Sequence, residues 1–291
     1  MIAGVDLGGT QIRIAVAGSD GRVTRTDRTH TADLVTPERV VSWAAARIRA
    51  LVQRSSLDLV TVGAPGPIDQ GRGVLVNPPN LPGWHNVPLV EMVQRELGCR
   101  ALIENDANLA AVGEHARGAG QGVQTMVYIT WSTGVGGGLI INGRLWSGAH
   151  GSAGEIGHMI IDPAGPLDSC GQRGCLEAFC GGRALSRASG ESADVLFAAA
   201  AGGDHDALRR VTAAAEKMGL ALINLSNLFD PDLFVVGGGV TRSWRLVAPV
   251  MRATLRASPF IRPARRPGLR RARLGDDGGL VGALEWARIH L

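Results

Sequence analysis

Asp6-Leu7-Gly8-Gly9-Thr10 closes the apolar run Ile2–Leu7 and turns the chain into the alternating stretch Gln11–Ala17. An apolar run, a Gly-rich turn and a second strand-like run predict a β-hairpin. Gly8 and Gly9 let the backbone approach a phosphate closely, and Thr10 adds a hydroxyl donor. Asp6 is placed to hold Mg²⁺ through water, since hard cations prefer carboxylate and water oxygens. Taken alone, the hairpin reads equally well as a plain structural turn. A further turn is predicted at Gly18-Ser19-Asp20-Gly21.

The same cadence returns near the middle of the chain. Met126–Thr130 is apolar, Ser132-Thr133-Gly134 turns, Gly136–Asn142 is apolar again, and Asn142-Gly143 leads into Arg144–Trp146. Two copies imply an internal repeat, one opening each half. Two Gly/Thr hairpins facing one another can clamp a triphosphate from both sides, which makes Thr133 and Gly134 phosphate-binding candidates beside Gly8, Gly9 and Thr10.

Between and after the copies, strands alternate with helices. Thr36-Pro37 is an N-cap and first-turn pair, and Val40, Val41, Ala44, Ile48, Leu51 and Val52 mark one helical face. Leu57–Val62 and Ala101–Ile103 are short buried-strand runs. Ala213–Phe229 reads as a long helix stopped by Pro231, Leu233–Val236 as a strand, and Gly279–His290 as a closing helix. The pattern is α/β, with two α/β domains and a cleft between them. We place a small N-terminal domain at 1–105, with the closing helix 279–291 packing back on it, and a larger domain at 106–278.

Composition excludes several classes. The 291 residues carry 45% hydrophobic content and a net charge of +4. Apolar stretches are short and interrupted, so no membrane span is expected. The first residues lack a signal-peptide layout, which implies a cytoplasmic protein. Lys217 is the sole lysine, preceded by Glu216 and followed by Met218, so there is no Walker A loop. Six arginines between Arg262 and Arg273 read as a solvated, Pro-interrupted surface loop, and Pro263 and Pro267 forbid a recognition helix there. No nucleic-acid partner is therefore expected. Three of the four cysteines fall between Cys170 and Cys180, which suggests a metal site or a local packing cluster.

Seven motifs in order give the chain a resemblance to the ROK family (repressors, open reading frames and sugar kinases) of the actin-like ATPase superfamily. They are Asp6–Thr10, Gly63–Asp69, Asn77–Leu81, Glu104-Asn105-Asp106-Ala107-Asn108, Ser132–Gly138, Gly154–His158 and Cys170–Glu177. The resemblance implies two actin-like, ribonuclease H-like α/β domains and an ATP- and Mg²⁺-dependent hexose kinase. It assigns Asp106 as the base that takes the proton of the sugar hydroxyl; on its own Asp106 would also read as a helix cap. It places Asn80, Asn105, Glu155, His158 and Glu177 around the sugar, although Glu155 and His158 alone could be an ordinary surface pair. Gly238 and Gly239 resemble the adenosine-binding turn, a stretch that equally reads as a left-handed turn.

The resemblance also implies a structural Zn²⁺ held by His158, Cys170 and Cys175, with Asp168 standing where relatives carry a cysteine. Buried free thiols without metal are the other reading, and Cys180 is a substitute ligand if the loop bends back. A ROK-type repressor would carry a DNA-binding domain ahead of Asp6, where no room is expected, and intact Asp6, Thr10, Asp106 and Thr133 speak against a pseudokinase. Phosphorylation at the 6-hydroxyl, glucose ahead of N-acetylmannosamine, N-acetylglucosamine, fructose and 3-amino-3-deoxyglucose, and a homodimer or homotetramer complete what it implies.

Overall fold

The computed structural model describes residues 1–18 and 20–291; Ser19, in one expected turn, lies outside the described residues. In chain order come β1 (Ile2–Leu7), β2 (Gln11–Ala17), β3 (Val23–His30), α1 (Pro37–Val52) and β4 (Leu59–Ala64). Next are β5 (Ile68–Asp69), β6 (Val74–Leu75), α2 (Leu89–Leu97), β7 (Arg100–Asn105) and α3 (Asp106–Arg117). The second half opens with β8 (Met126–Trp131), β9 (Val135–Ile141) and β10 (Arg144–Leu145). Helices α4 (Leu176–Cys180), α5 (Gly182–Ser189), α6 (Ala193–Ala201) and α7 (His205–Phe229) follow. The chain ends with β11 (Leu233–Gly237), α8 (Trp244–Ala257), β12 (Gly268–Arg271) and α9 (Gly278–Ile289).

Two five-stranded sheets share one plan. The first runs β3-β2-β1-β4-β7, with β1 and β2 antiparallel and β1, β4 and β7 parallel. The second runs β10-β9-β8-β11-β12, with β8 and β9 antiparallel and β8, β11 and β12 parallel. The repeated hairpin cadence thus seeds the same mixed sheet twice, which bears out the two-domain α/β expectation.

Contacts divide the chain into one unit of 1–118, 145–153 and 276–291, and another of 119–144 and 154–275. Helix α3, which a boundary at residue 105 would give to the second half, stays with the first unit. Glycines on both helices let α3 press backbone to backbone on α9: a Cβ on Gly282 of α9 would lie 1.7 Å from the Leu109 carbonyl oxygen, and one on Gly113 of α3 would lie 2.5 Å from that of Gly278. Helix α9 also covers β1, where Ile2, Leu59, Leu280 and Leu284 form a buried cluster.

On the other face of the first sheet, α1 begins as its cap residues predict, with Thr36 accepting from the Arg39 N–H. Val40, Val41, Ala44, Ile48 and Val52 are buried beneath it, each larger side chain contributing about 1.5–3 kcal/mol.

Two elements depart from the sequence reading. Helix α7 begins at His205, capped by Asp204, two turns before the expected Ala213; its first turns bury only Ala207 and Val211, too sparse an apolar signal. Within the Arg262–Arg273 stretch, Gly268–Arg271 is a strand rather than loop. It pairs along β11 at the sheet edge and buries only Leu269, so the alternation that marks strands is nearly absent. Pro267 just before it is compatible with an edge strand.

Candidate active site

In the first unit, Asp6 sits near the end of β1 directly across from Arg13 of β2, whose guanidinium binds its Oδ2. Arg13 also donates to the Asp276 carbonyl and lies 3.8 Å from the Asp277 carboxylate. Burial raises Asp6 above the ordinary carboxylate range, and Arg13 opposes that shift. The start of α9 lies beside the same carboxylate, since a Cβ on Gly279 would be in ordinary contact with it at 3.4 Å.

The Gly8-Gly9-Thr10 turn is closed by Gly8 N–H to Gln11 O at 2.9 Å, and Thr31 holds it from outside through its N–H to Thr10 O and its hydroxyl to Gly8 O. A Cβ on Gly9 would stand 2.8 Å from the Asn80 carbonyl oxygen, so the Asn80 loop abuts this hairpin.

Asn105 and Asp106 join β7 to α3. The helix cap is Asn105, whose Oδ1 accepts from the N–H groups of Ala107 at 2.9 Å and Asn108 at 3.2 Å. Asp106 is the first helical residue; its Oδ1 accepts from the Ala107 N–H at 2.8 Å, and the residue is half-buried. Directly before them, Glu104 is 2% exposed and accepts three hydrogen bonds. Burial pushes it above the ordinary glutamate range, while its bonds from Asn108, Asn105 and Gln70 pull it back.

In the second unit, the Ser132–Gly134 turn is closed by Ser132 N–H to Gly134 O at 2.9 Å, and the start of α5 donates to it from Gly182 and Arg183. Glu177 of α4 reaches this turn: its Oε2 accepts from the Val135 N–H at 2.6 Å, and a Cβ on Gly134 would collide with it at 2.3 Å. Gly238, at φ 84°, passes so close to β8 that a Cβ would lie 2.4 Å from the Trp131 carbonyl oxygen. Gly239 has Ser132 Oγ as its nearest such neighbour at 3.6 Å. The structure therefore brings Thr133, Gly134, Glu177, Gly238 and Gly239 together around the C-terminal end of β8. Glu155 is exposed, and its carbonyl accepts from the His158 N–H at 3.1 Å.

His158, Asp168, Cys170 and Cys175 converge, with one ligand atom from each lying within 4.8 Å of all the others. The two sulfurs are 3.7 Å apart, and His158 Nδ1 is 3.4 Å from Asp168 Oδ2. A tetrahedral zinc with about 2.3 Å bonds to sulfur and about 2.0 Å to nitrogen and oxygen spaces its ligands about 3.8 Å apart for the sulfurs and about 3.3 Å for the N/O pair. His158 Nδ1 is buried without a hydrogen bond, as a metal-facing nitrogen would be.

The residues fit zinc. Burial, and then the neighbouring Cys170 thiol, push Cys175 up to about 12, so metal binding would release its proton. Burial also acts to raise Asp168, but hydrogen bonds from the Cys170 thiol and backbone and the proximity of His158 outweigh it and leave Asp168 lowered. Cys180 points elsewhere, its thiol donating to the Leu176 carbonyl.

The ROK family matches residues 2–289 of the chain. The chain belongs to the ROK family. Among solved structures, the ROK hexokinase from Thermus thermophilus superposes with a TM-score of 0.86 at 36% identity, covering 99% of this chain and 98% of that one. A ROK family glucokinase from Streptomyces griseus, in complex with glucose and AMPPNP, gives 0.82 at 34% identity and covers 99% of both. An N-acetylmannosamine kinase from Citrobacter koseri is 34% identical over 96% of each chain. The family's sugar kinases thus include relatives with different sugars at nearly the same identity. Among the described residues, no helix is long and apolar enough to cross a membrane.

Arg13, Gln70, Glu104 and Asn108 were not singled out from sequence. A charge inside the otherwise apolar β2 was the available signal for Arg13. Glu104 and Asn108 lie within the Glu104–Asn108 motif, but the bond between them and the one from Gln70 become visible only in the fold.

Proposed function

We propose that this ROK chain transfers the γ-phosphoryl group of ATP to a hexose hydroxyl, the 6-hydroxyl of glucose or a glucose-like amino sugar, with Asp106 as general base. The observation that carries the reading is Asp106 itself. It is a half-buried carboxylate on the first turn of α3, one oxygen steadied by the Ala107 N–H, with the neighbouring Asn105 already serving as the cap. The cap position itself is filled by Asn105, one residue earlier. A carboxylate so held can accept the hydroxyl proton as the oxygen attacks phosphorus.

In this reading Asn105, whose Oδ1 is committed to α3, offers its amide NH₂ to a sugar hydroxyl. Asn80, Glu155, His158 and Glu177 supply further donors and acceptors for the sugar. Gly8, Gly9, Thr10, Thr133 and Gly134 take the phosphates, and Gly238 and Gly239 leave room for the adenosine. Arg13 binds one Asp6 oxygen, so the other is the one available to a magnesium-bound water. Magnesium would neutralise charge on the phosphates. Zinc held by His158, Asp168, Cys170 and Cys175 would brace the segment that carries Glu155 and His158.

The test is ADP release by the purified protein with Mg-ATP against a panel of glucose, N-acetylmannosamine, N-acetylglucosamine, fructose and 3-amino-3-deoxyglucose. One sugar far ahead of the rest is the expected result. No turnover on any of them, by folded protein that binds nucleotide, would overturn the proposal.

A further inference from the structure

We infer that Glu104, gripped by Gln70 and Asn108, is a positioning residue that fixes the Asn105–Asp106 turn for phosphoryl transfer. The inference rests on the kinase reading and deepens it.

Glu104 is 2% exposed at the end of a buried strand, a place that ordinarily rejects a carboxylate. Three donors converge on it. Oε1 accepts from the Asn105 backbone N–H at 2.8 Å and from Asn108 Nδ2 at 2.9 Å, and Oε2 accepts from Gln70 Nε2 at 2.7 Å. Only an acceptor with two oxygens satisfies that set, which is what an ionised carboxylate offers. The donors come from three parts of the first unit: the turn itself, the first turn of α3, and the tip of the β5–β6 hairpin.

The arrangement serves Asp106 through Asn105. Glu104 holds the Asn105 backbone while the Asn105 side chain caps α3, and Asp106 is the next residue. Rotation of that peptide would swing the base. Gln70 is itself backed by the 145–153 segment, since a Cβ on Gly151 would lie 3.2 Å from the Gln70 side chain.

Stability alone is a poor explanation for the set. Asn108 is 1% exposed, and turning its nitrogen to Glu104 leaves its Oδ1 buried without a partner. A group selected only for packing would not keep that unmade bond. Asn108 therefore serves Glu104 rather than its own hydrogen-bonding balance.

The experiment measures sugar-dependent ADP release for the full chain and for Glu104→Gln, Gln70→Ala and the double variant Glu104→Gln/Gln70→Glu. Thermal melts and nucleotide affinity are recorded on the same samples. Glu104→Gln keeps shape but turns an NH₂ toward a donor. Its kcat falls about 10–100-fold, with KM for sugar and ATP within about threefold, the pattern of a lost support behind a reacting group. Gln70→Ala, at an exposed hairpin tip, keeps its fold and loses about 3–10-fold in kcat. The double variant restores an acceptor opposite the new amide and recovers most of the lost kcat.

Unchanged kcat in folded Glu104→Gln, or a loss that falls wholly on KM, overturns the positioning role. A parent protein that turns over no sugar removes the kinase reading itself, a result visible before any variant is compared.

Discussion

Gly282→Ala places a methyl group where α9 meets the backbone of α3. The new Cβ would lie 1.7 Å from the Leu109 carbonyl oxygen and 2.4 Å from its carbon, whereas ordinary contact begins near 3.4 Å. The helices must part locally by about 1.7 Å, the difference between those distances. Both obstructing atoms are main chain, so no rotamer change relieves the clash. Overpacking usually costs about 1–3 kcal/mol. The absence of side-chain relief puts this variant at the upper end or beyond, against about 1 kcal/mol gained by alanine over glycine in a helix. A net loss of about 2–3 kcal/mol lowers the melting midpoint by roughly 4–12 °C in a domain of this size.

If Asp106 is the base, as proposed, the same displacement reaches function, because α3 begins at Asp106. A shift of about 1 Å at a reacting group costs on the order of 100-fold in rate. Circular-dichroism melts and sugar-dependent turnover of the parent, Gly282→Ala and Gly202→Ala make the comparison. Gly202 has no neighbour closer than 3.4 Å to its added Cβ, so its alanine variant should melt with the parent. A Gly282→Ala midpoint within about 1 °C of the parent would refute the claim that this crossing is set backbone to backbone.

Asp106→Ala should lower kcat by about 10²–10⁴-fold while leaving ATP affinity, measured by calorimetry, nearly unchanged; equal loss of both would count against its role as base. Asp168→Cys should retain zinc more firmly than the parent under chelator challenge, read by elemental analysis; equal retention would mean that Asp168 is no ligand. Glu104 gives a pH signature. Its folded value is raised, so between the ordinary glutamate range and that value the folded chain holds the extra proton and stability falls as pH rises, levelling off above it. Denaturant melts of parent and Glu104→Gln across about pH 4 to 8 should show that slope in the parent alone; parallel curves would contradict it.

The repeated sheet was legible because its hairpins are local. A strand, a Gly/Thr turn and a second strand lie within about twenty residues in each half, and the glycines that make the turns announce themselves. Helix α7 was found but begun late, since its first two turns carry Arg209, Arg210 and few buried groups. Strand β12 was missed because an edge strand with one buried residue has no period to detect. The metal candidates came from the family resemblance, yet only the fold shows His158 Nδ1 buried beside Asp168. Glu104 was illegible for a different reason. Its meaning depends on Gln70, 34 residues away, and nothing in the local sequence says that an amide from another hairpin will meet a buried carboxylate.

The first unit is discontinuous in sequence, and this bears on how the chain is made. Its sheet is synthesised early, but α9, which seals Ile2 and Leu59, follows every residue of the second unit in the chain. Domains generally fold in the order they are synthesised; here the N-terminal one has to wait. Residues 119–144 and 154–275 are all available before the first unit can close. A nascent chain stopped short of residue 276 would therefore present one finished unit and one with an apolar sheet face still open, the form that a chaperone or a protease would recognise.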